Sequence, residues 1–251
     1  MGVGLWVLGS IYLYWQWFHY TRQSWGISQI YRRKSGGLVS EGEGLTKAMF
    51  YLLPLWGILH RSWQAPEKFL GLEVRVIPVP GFVVDAVAVA AIAVLGAWIV
   101  LRVRAFMRGQ GPIAHTFYMA SHVTVFTVSY VVIEDVTHGW LVVNIWHNAQ
   151  YIFFVWLYNT NRYRDGIDAR APLLSAISQA KNWWRYVAVC LAITTILYGA
   201  ISGVGPHLLA LGLPSLIVIY QALNFHHYIV DSIIWKVRQA PMQKTMGLNS
   251  D

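Results

Sequence analysis

Nine histidines and a single cysteine define the chemistry open to this chain. His19, His115, His122, His147 and the adjacent pair His226-His227 lie inside hydrophobic segments, and Asp231 follows His227 by one helical turn. An ionisable side chain at membrane depth costs at least a few kcal/mol, so it faces the interior of a helix bundle and has a partner or a task. Imidazole is the commonest protein ligand for metals. Several histidines with one carboxylate and no cysteine suit iron, zinc or copper by ligand type. The lone Cys190 excludes an intrachain disulfide, a CxxC redox pair and a four-cysteine iron–sulfur site. In its apolar run it reads as a small core residue.

Helical spacing sorts these residues into stripes, because positions i, i+3, i+4 and i+7 share a face. One stripe holds Tyr12, Gln16, His19 and Gln23. A second holds His115, Tyr118 and His122, a third Asn144, His147, Gln150 and Tyr151, and a fourth Tyr220, Asn224, His227 and Asp231. His226 points about 100° away from His227. Isolated polar residues can serve as helix–helix glue, but four stripes on four helices read as the lining of one site. His122, His147, His226 and His227 fall at matched depths of ~12–16 Å from the cytoplasmic ends of their segments, at 1.5 Å per residue. His115, His19 and Asp231 fall nearer that surface. The expected metal ligands are therefore His122, His147 and His227 first, then His115, Asp231, His19 and His226. Asp231 has a second reading, holding the ring N–H of His227 as carboxylates do for metal-bound imidazoles. Gln150, Asn144, Asn224 and Tyr151 are expected to orient ligands or substrate. His60, His138 and His207 lie toward the opposite side and read as unrelated.

The elements that must position these residues are transmembrane helices. The 251 residues are 56% hydrophobic and 12% charged, against roughly a quarter charged in soluble domains. A helix needs about 20 apolar residues to cross the hydrocarbon. Seven segments qualify: 2–20, 45–63, 81–101, 113–133, 140–158, 185–204 and 208–235. The expected fold is one all-α integral membrane domain of about seven transmembrane helices over 1–251. Residues 171–184 place Leu173, Leu174, Ile177, Ala180 and Trp184 on one face, as an amphipathic helix at the membrane surface would. Ser40 and Glu43 have capping-box spacing ahead of the second segment.

The formal charge of +8 resides mostly in loops beside these segments, which reads as topology signal and anionic-lipid contact and not as nucleic-acid binding. Arg22, Arg32, Arg33 and Lys34, Arg102, Arg104 and Arg108, the 162–185 loop, and Lys236, Arg238 and Lys244 mark the cytoplasmic side. The N-terminus is then outside and the C-terminus cytoplasmic. Arg61, Lys68 and Arg75 fit this orientation least well. The expected setting is a bacterial inner membrane, with the site toward the cytoplasm.

Such a site matches what a membrane oxygenase needs: non-haem iron, one or two ions, with open positions for O₂. It also needs apolar surroundings for a lipophilic substrate and basic loops to dock an acidic electron carrier such as a ferredoxin. The histidine load, concentrated in WHNAQY (Trp146–Tyr151) and NFHHYIVDSIIWK (Asn224–Lys236), resembles in character the membrane-bound non-haem iron desaturases and hydroxylases. Of their histidine boxes, only the His226-His227 fragment is present, and no HxxxH or HxxH occurs. That resemblance implies an O₂-dependent oxidoreductase. Two other readings stand beside it. One is a haem electron-transfer protein clamped by His122 with His147, or by His115 with a histidine of the last segment. The other is a transporter or assembly factor whose His, Asn and Gln side chains line a pathway.

Overall fold

The computed structural model describes residues 4–35, 42–210, 216–234 and 239–248. It is all-α, with 81% helix and 2% strand. The chain forms two compact units, Met1–Asn148 and Ala149–Asp251.

The first unit holds α1 (Trp6–Lys34), α2 (Gly42–Gln64), a two-residue-stranded hairpin β1–β2 (Lys68–Phe69, Leu72–Glu73), α3 (Gly81–Met107), α4 (Ile113–Thr127) and the start of α5 (Val136–Arg162). Proline and glycine punctuate it. Pro80 and Pro112 precede α3 and α4 in extended conformation, and Gly109 turns the chain between them at φ +70°. At the hairpin tip both Leu70 and Gly71 have positive φ, as the tightest hairpin turns require. Phe69 of the hairpin is buried against Tyr12 and Trp140, with ring centroids 6.0 Å from each.

α1 runs on to Lys34, well past the expected end at residue 20. No proline interrupts residues 21–34, and Arg32, Arg33 and Lys34 in its last turn complement the helix dipole. Its buried face is polar, with Ser10, Gln16, Thr21, Ser24 and Ser28 among its members.

α4 ends in a π-helical turn, Val128–Val132, closed by the Ile133 N–H on the Val128 carbonyl. Wide turns leave carbonyls to satisfy, and Arg61 meets them. Its guanidinium, 1% exposed, donates to Ser129 O at 2.7 Å, to Glu134 O at 2.6 Å and to Ile133 O, and also to Gln64 Oε1 at 2.7 Å. A cation over the carbonyl end of a helix also faces the favourable pole of its dipole. Gly139 of α5 closes this joint. A Cβ there would stand 2.0 Å from Ser129 O and 2.8 Å from Arg61 Nη2.

The second unit holds the rest of α5, α6 (Pro172–Ile177), a 3₁₀ turn (Ala180–Asn182), α7 (Trp183–Ala210), α8 (Leu216–Ile234) and α9 (Ala240–Met246). The amphipathic helix expected over 171–184 is broken into two pieces. Gln179 takes an extended conformation, and its Nε2 donates to the carbonyls of Tyr163, Gly166 and Ser175. Asn182 Nδ2 donates to Ala176 O at 2.7 Å. Side-chain amides thus take carbonyls that a continuous helix would have used. Leu173, Leu174, Trp183 and Trp184 are nonetheless each exposed.

Among the described residues two helical stretches are long and apolar enough to cross a membrane: Gly81–Met107, with mean hydropathy 2.4, and Ala180–Ala200, with mean hydropathy 1.2. Both turn large apolar side chains outward, including Phe82, Val89 and Ile92 on the first and Leu191, Ile193 and Ile196 on the second. Exposed apolar surface of this extent supports association with a membrane. Ser40, Lys236 and Arg238 lie outside the described residues, so the capping box does as well, while Lys244 lies in the last turn of α9.

The Arg61 joint generates a prediction. Gly139→Ala should lower stability by about 1–3 kcal/mol, the usual cost of overpacking, read as a lower unfolding midpoint in detergent. Gly199→Ala on α7, where nothing lies within 4 Å of the added carbon, should leave the midpoint unchanged or raise it.

Candidate metal centre

The four candidate ligands of the first unit, His19, His115, His122 and His147, have three different environments. His19 on α1 and His147 on α5 meet edge to face, with ring centroids 5.1 Å apart. The ligand nitrogens of this cluster lie within 4.8 Å of one another. His147 is buried and His19 half-buried. Tyr20 packs on His147 at 4.2 Å between centroids, and its hydroxyl donates to Asn144 Oδ1 at 2.7 Å. Two nitrogens on one ion sit no more than about 4.2 Å apart at metal–nitrogen distances near 2.1 Å. A modest ring rotation therefore suffices for His19 and His147 to share a metal.

His122 is fully buried, and both of its ring nitrogens are occupied. Nε2 lies 3.1 Å from Phe50 O and Nδ1 lies 3.1 Å from Ser24 Oγ. A carbonyl only accepts, so Nε2 carries the proton and Nδ1 accepts from the serine hydroxyl. The reason lies four residues beyond Phe50. Pro54 sits inside α2 and has no N–H, so the Phe50 carbonyl loses its helical partner. His122 supplies the missing donor, and its ring stacks on Phe50 at 3.7 Å and 14°. Trp17 Nε1 meanwhile donates to the Pro54 carbonyl at 2.8 Å.

His115, also fully buried, lies beside Arg102, with Nδ1 3.3 Å from Nη2. Guanidinium only donates, so this nitrogen accepts and Nε2 carries the ring proton. Neither His115 nor His122 belongs to the His19–His147 cluster.

In the second unit α8 brings His227 and Asp231 together, with Nε2 3.3 Å from Oδ2. Tyr151 of α5 packs edge-on against His227 at 4.9 Å and donates to Asp231 Oδ1 at 3.2 Å. This is the arrangement in which a carboxylate orients an imidazole and leaves its other nitrogen to a ligand. His226 is exposed, and Asn224 Nδ2 is spent on Tyr220 O of its own helix. Gln150 is half-buried, and its Oε1 has no hydrogen-bond partner among the described residues. His138 pairs with Asp135 at 3.2 Å and His60 lies beside Trp63, both away from these groups.

Sequence reasoning missed Tyr20, Arg61 and Arg102. Tyr20 follows Gln16 by four residues, so a stripe drawn at both i+3 and i+4 from Gln16 includes it. Arg61 and Arg102 read as loop cations because each lies near the end of an apolar run.

No family model matches the chain, and no curated protein or solved structure matches it.

The repair role of His122 is testable by a double-mutant cycle. His122→Ala should cost about 1–3 kcal/mol for the orphaned carbonyl, in addition to its packing loss. In a Pro54→Ala background the restored N–H can reach Phe50 O, so the cost should shrink by about 1 kcal/mol. Equal costs in both backgrounds, measured by thermal unfolding in detergent, would show that the histidine does not compensate for the proline.

Proposed function

We propose that this chain is an integral membrane, metal-dependent oxidoreductase using O₂ on a lipophilic substrate, its ion being non-haem iron held by His19 and His147. The His19–His147 pair carries this reading: two imidazoles edge to face among aromatic side chains. A haem clamped by two histidines keeps them on opposite faces of a flat macrocycle, and rings 5.1 Å apart leave no slot for one. A small ion with open positions is the better match.

With His115 and His122 engaged elsewhere, one ion is favoured over two. Zinc and copper accept the same ligands, and metal analysis separates them from iron.

When bound, the ion would supply oxygen activation. The chain's own residues would hold it, orient His147 through Tyr20 and Asn144, and keep bulk water out. We read α1, α2, α4, α5 and α8 as further spans, giving about seven in all, with the N-terminus outside a bacterial inner membrane. Their buried polar residues lower their hydropathy, as expected of helices that line a site. The basic end of α1 at Arg32, Arg33 and Lys34 would dock an acidic electron carrier on the cytoplasmic side.

The test is metal content and visible spectrum recorded on one detergent-purified sample. About one iron per chain without a Soret band is expected. His19→Ala and His147→Ala should each lose it, while a folded His122→Ala retains it. A Soret band would transfer the claim to haem, and no stoichiometric metal after iron reconstitution would overturn it.

A further inference from the structure

An open groove of about 440 Å³ runs along the outer face of α1 in the first unit. Ile11, Trp15 and Phe18 form its floor at i, i+4 and i+7, and are 50%, 47% and 48% exposed. Ile77 forms part of its wall, and its one charged lining residue is Arg75. The groove is preformed. The backbone N–H of Arg75 donates to Ser10 Oγ at 2.8 Å, and that of Ile77 to the Tyr14 hydroxyl at 2.8 Å. Tyr14 is itself tied to Ser62 Oγ at 2.9 Å. The polar atoms of the lining are thus committed to holding the Arg75–Ile77 strap in place. The Arg75 guanidinium rests over the Trp6 ring, 4.2 Å from its centroid, with no carboxylate partner among the described residues.

We propose that this groove binds one membrane phospholipid with an anionic headgroup, its acyl chain on Ile11, Trp15 and Phe18 and its phosphate at Arg75. A purely apolar occupant would leave the cation with the Trp6 ring but no anion, and a soluble anion would leave the floor bare. An amphiphile with a negative head matches both. Length agrees as well: Ser10 to Phe18 spans ~12 Å of helix, and one leaflet of a ~30 Å hydrocarbon core has about 15 Å. The site therefore serves one leaflet. It rests on the membrane reading of the chain but not on the metal.

Native mass spectrometry of the full chain, titrated with phosphatidylglycerol and with phosphatidylcholine of the same acyl chains, tests it. One retained phosphatidylglycerol, favoured about fivefold over phosphatidylcholine, is expected from a single cation at a lipid headgroup. Arg75→Gln should abolish that preference and Arg75→Lys should keep most of it. Trp15→Ala should weaken both lipids alike, and Arg108→Gln should change nothing. Equal retention of the two lipids by the wild type, or a preference surviving Arg75→Gln, overturns the proposal. So does an interchain disulfide formed by Ile11→Cys in a Cys190→Ser background, because it would show a second copy in the groove. Iron content should be the same in Arg75→Gln and wild type, so failure here leaves the metal reading standing.

Discussion

In an apolar core every backbone polar group must find its partner within the chain, because no water is present to supply one. The first unit is organised around two places where helix geometry alone fails to do this. Pro54 strands the Phe50 carbonyl, and His122 arrives from α4 to satisfy it. The π-helical end of α4 strands three more carbonyls, and Arg61 arrives from α2. Each defect on one helix is repaired by the other, so α2 and α4 are joined twice, in opposite directions. α1 and α5 then pack on a pair whose register is already fixed, with Trp17 on the Pro54 carbonyl and Gly139 at the Arg61 joint.

Helices were legible because long apolar runs flanked by proline, glycine and basic residues leave little choice of structure. Their ends were less so. Residues 21–34 look like loop because they are polar, yet polarity and one glycine do not stop a helix that has no proline, and their serines and threonine face inward. At 178–182 the reverse holds: an amphipathic pattern suggests one helix, but Gln179 and Asn182 compete for its carbonyls.

The candidate site was legible as a set of histidines and not as a geometry. A stripe shows which face a ring is on, but not what its two nitrogens meet. His122 looks like a ligand by depth and spacing, and its partner was set by a proline 68 residues away in sequence. A buried proline inside an apolar helix is itself a readable signal, since it announces a carbonyl in need of a donor. His19 of α1 and His147 of α5, by contrast, meet edge to face.

The π-helical turn has one further consequence. It holds one residue more than an α-helix would need over the same rise. Removing a single residue from Val128–Val132 would let α4 run on as ordinary helix, with every local hydrogen bond intact. Residues beyond the deletion would rotate by about 100° relative to those before it, and the carbonyls now gathered at Arg61 would point elsewhere. The extra residue thus acts as an angular spacer, and the chain's tolerance of length change at this point is set by a cation on a different helix.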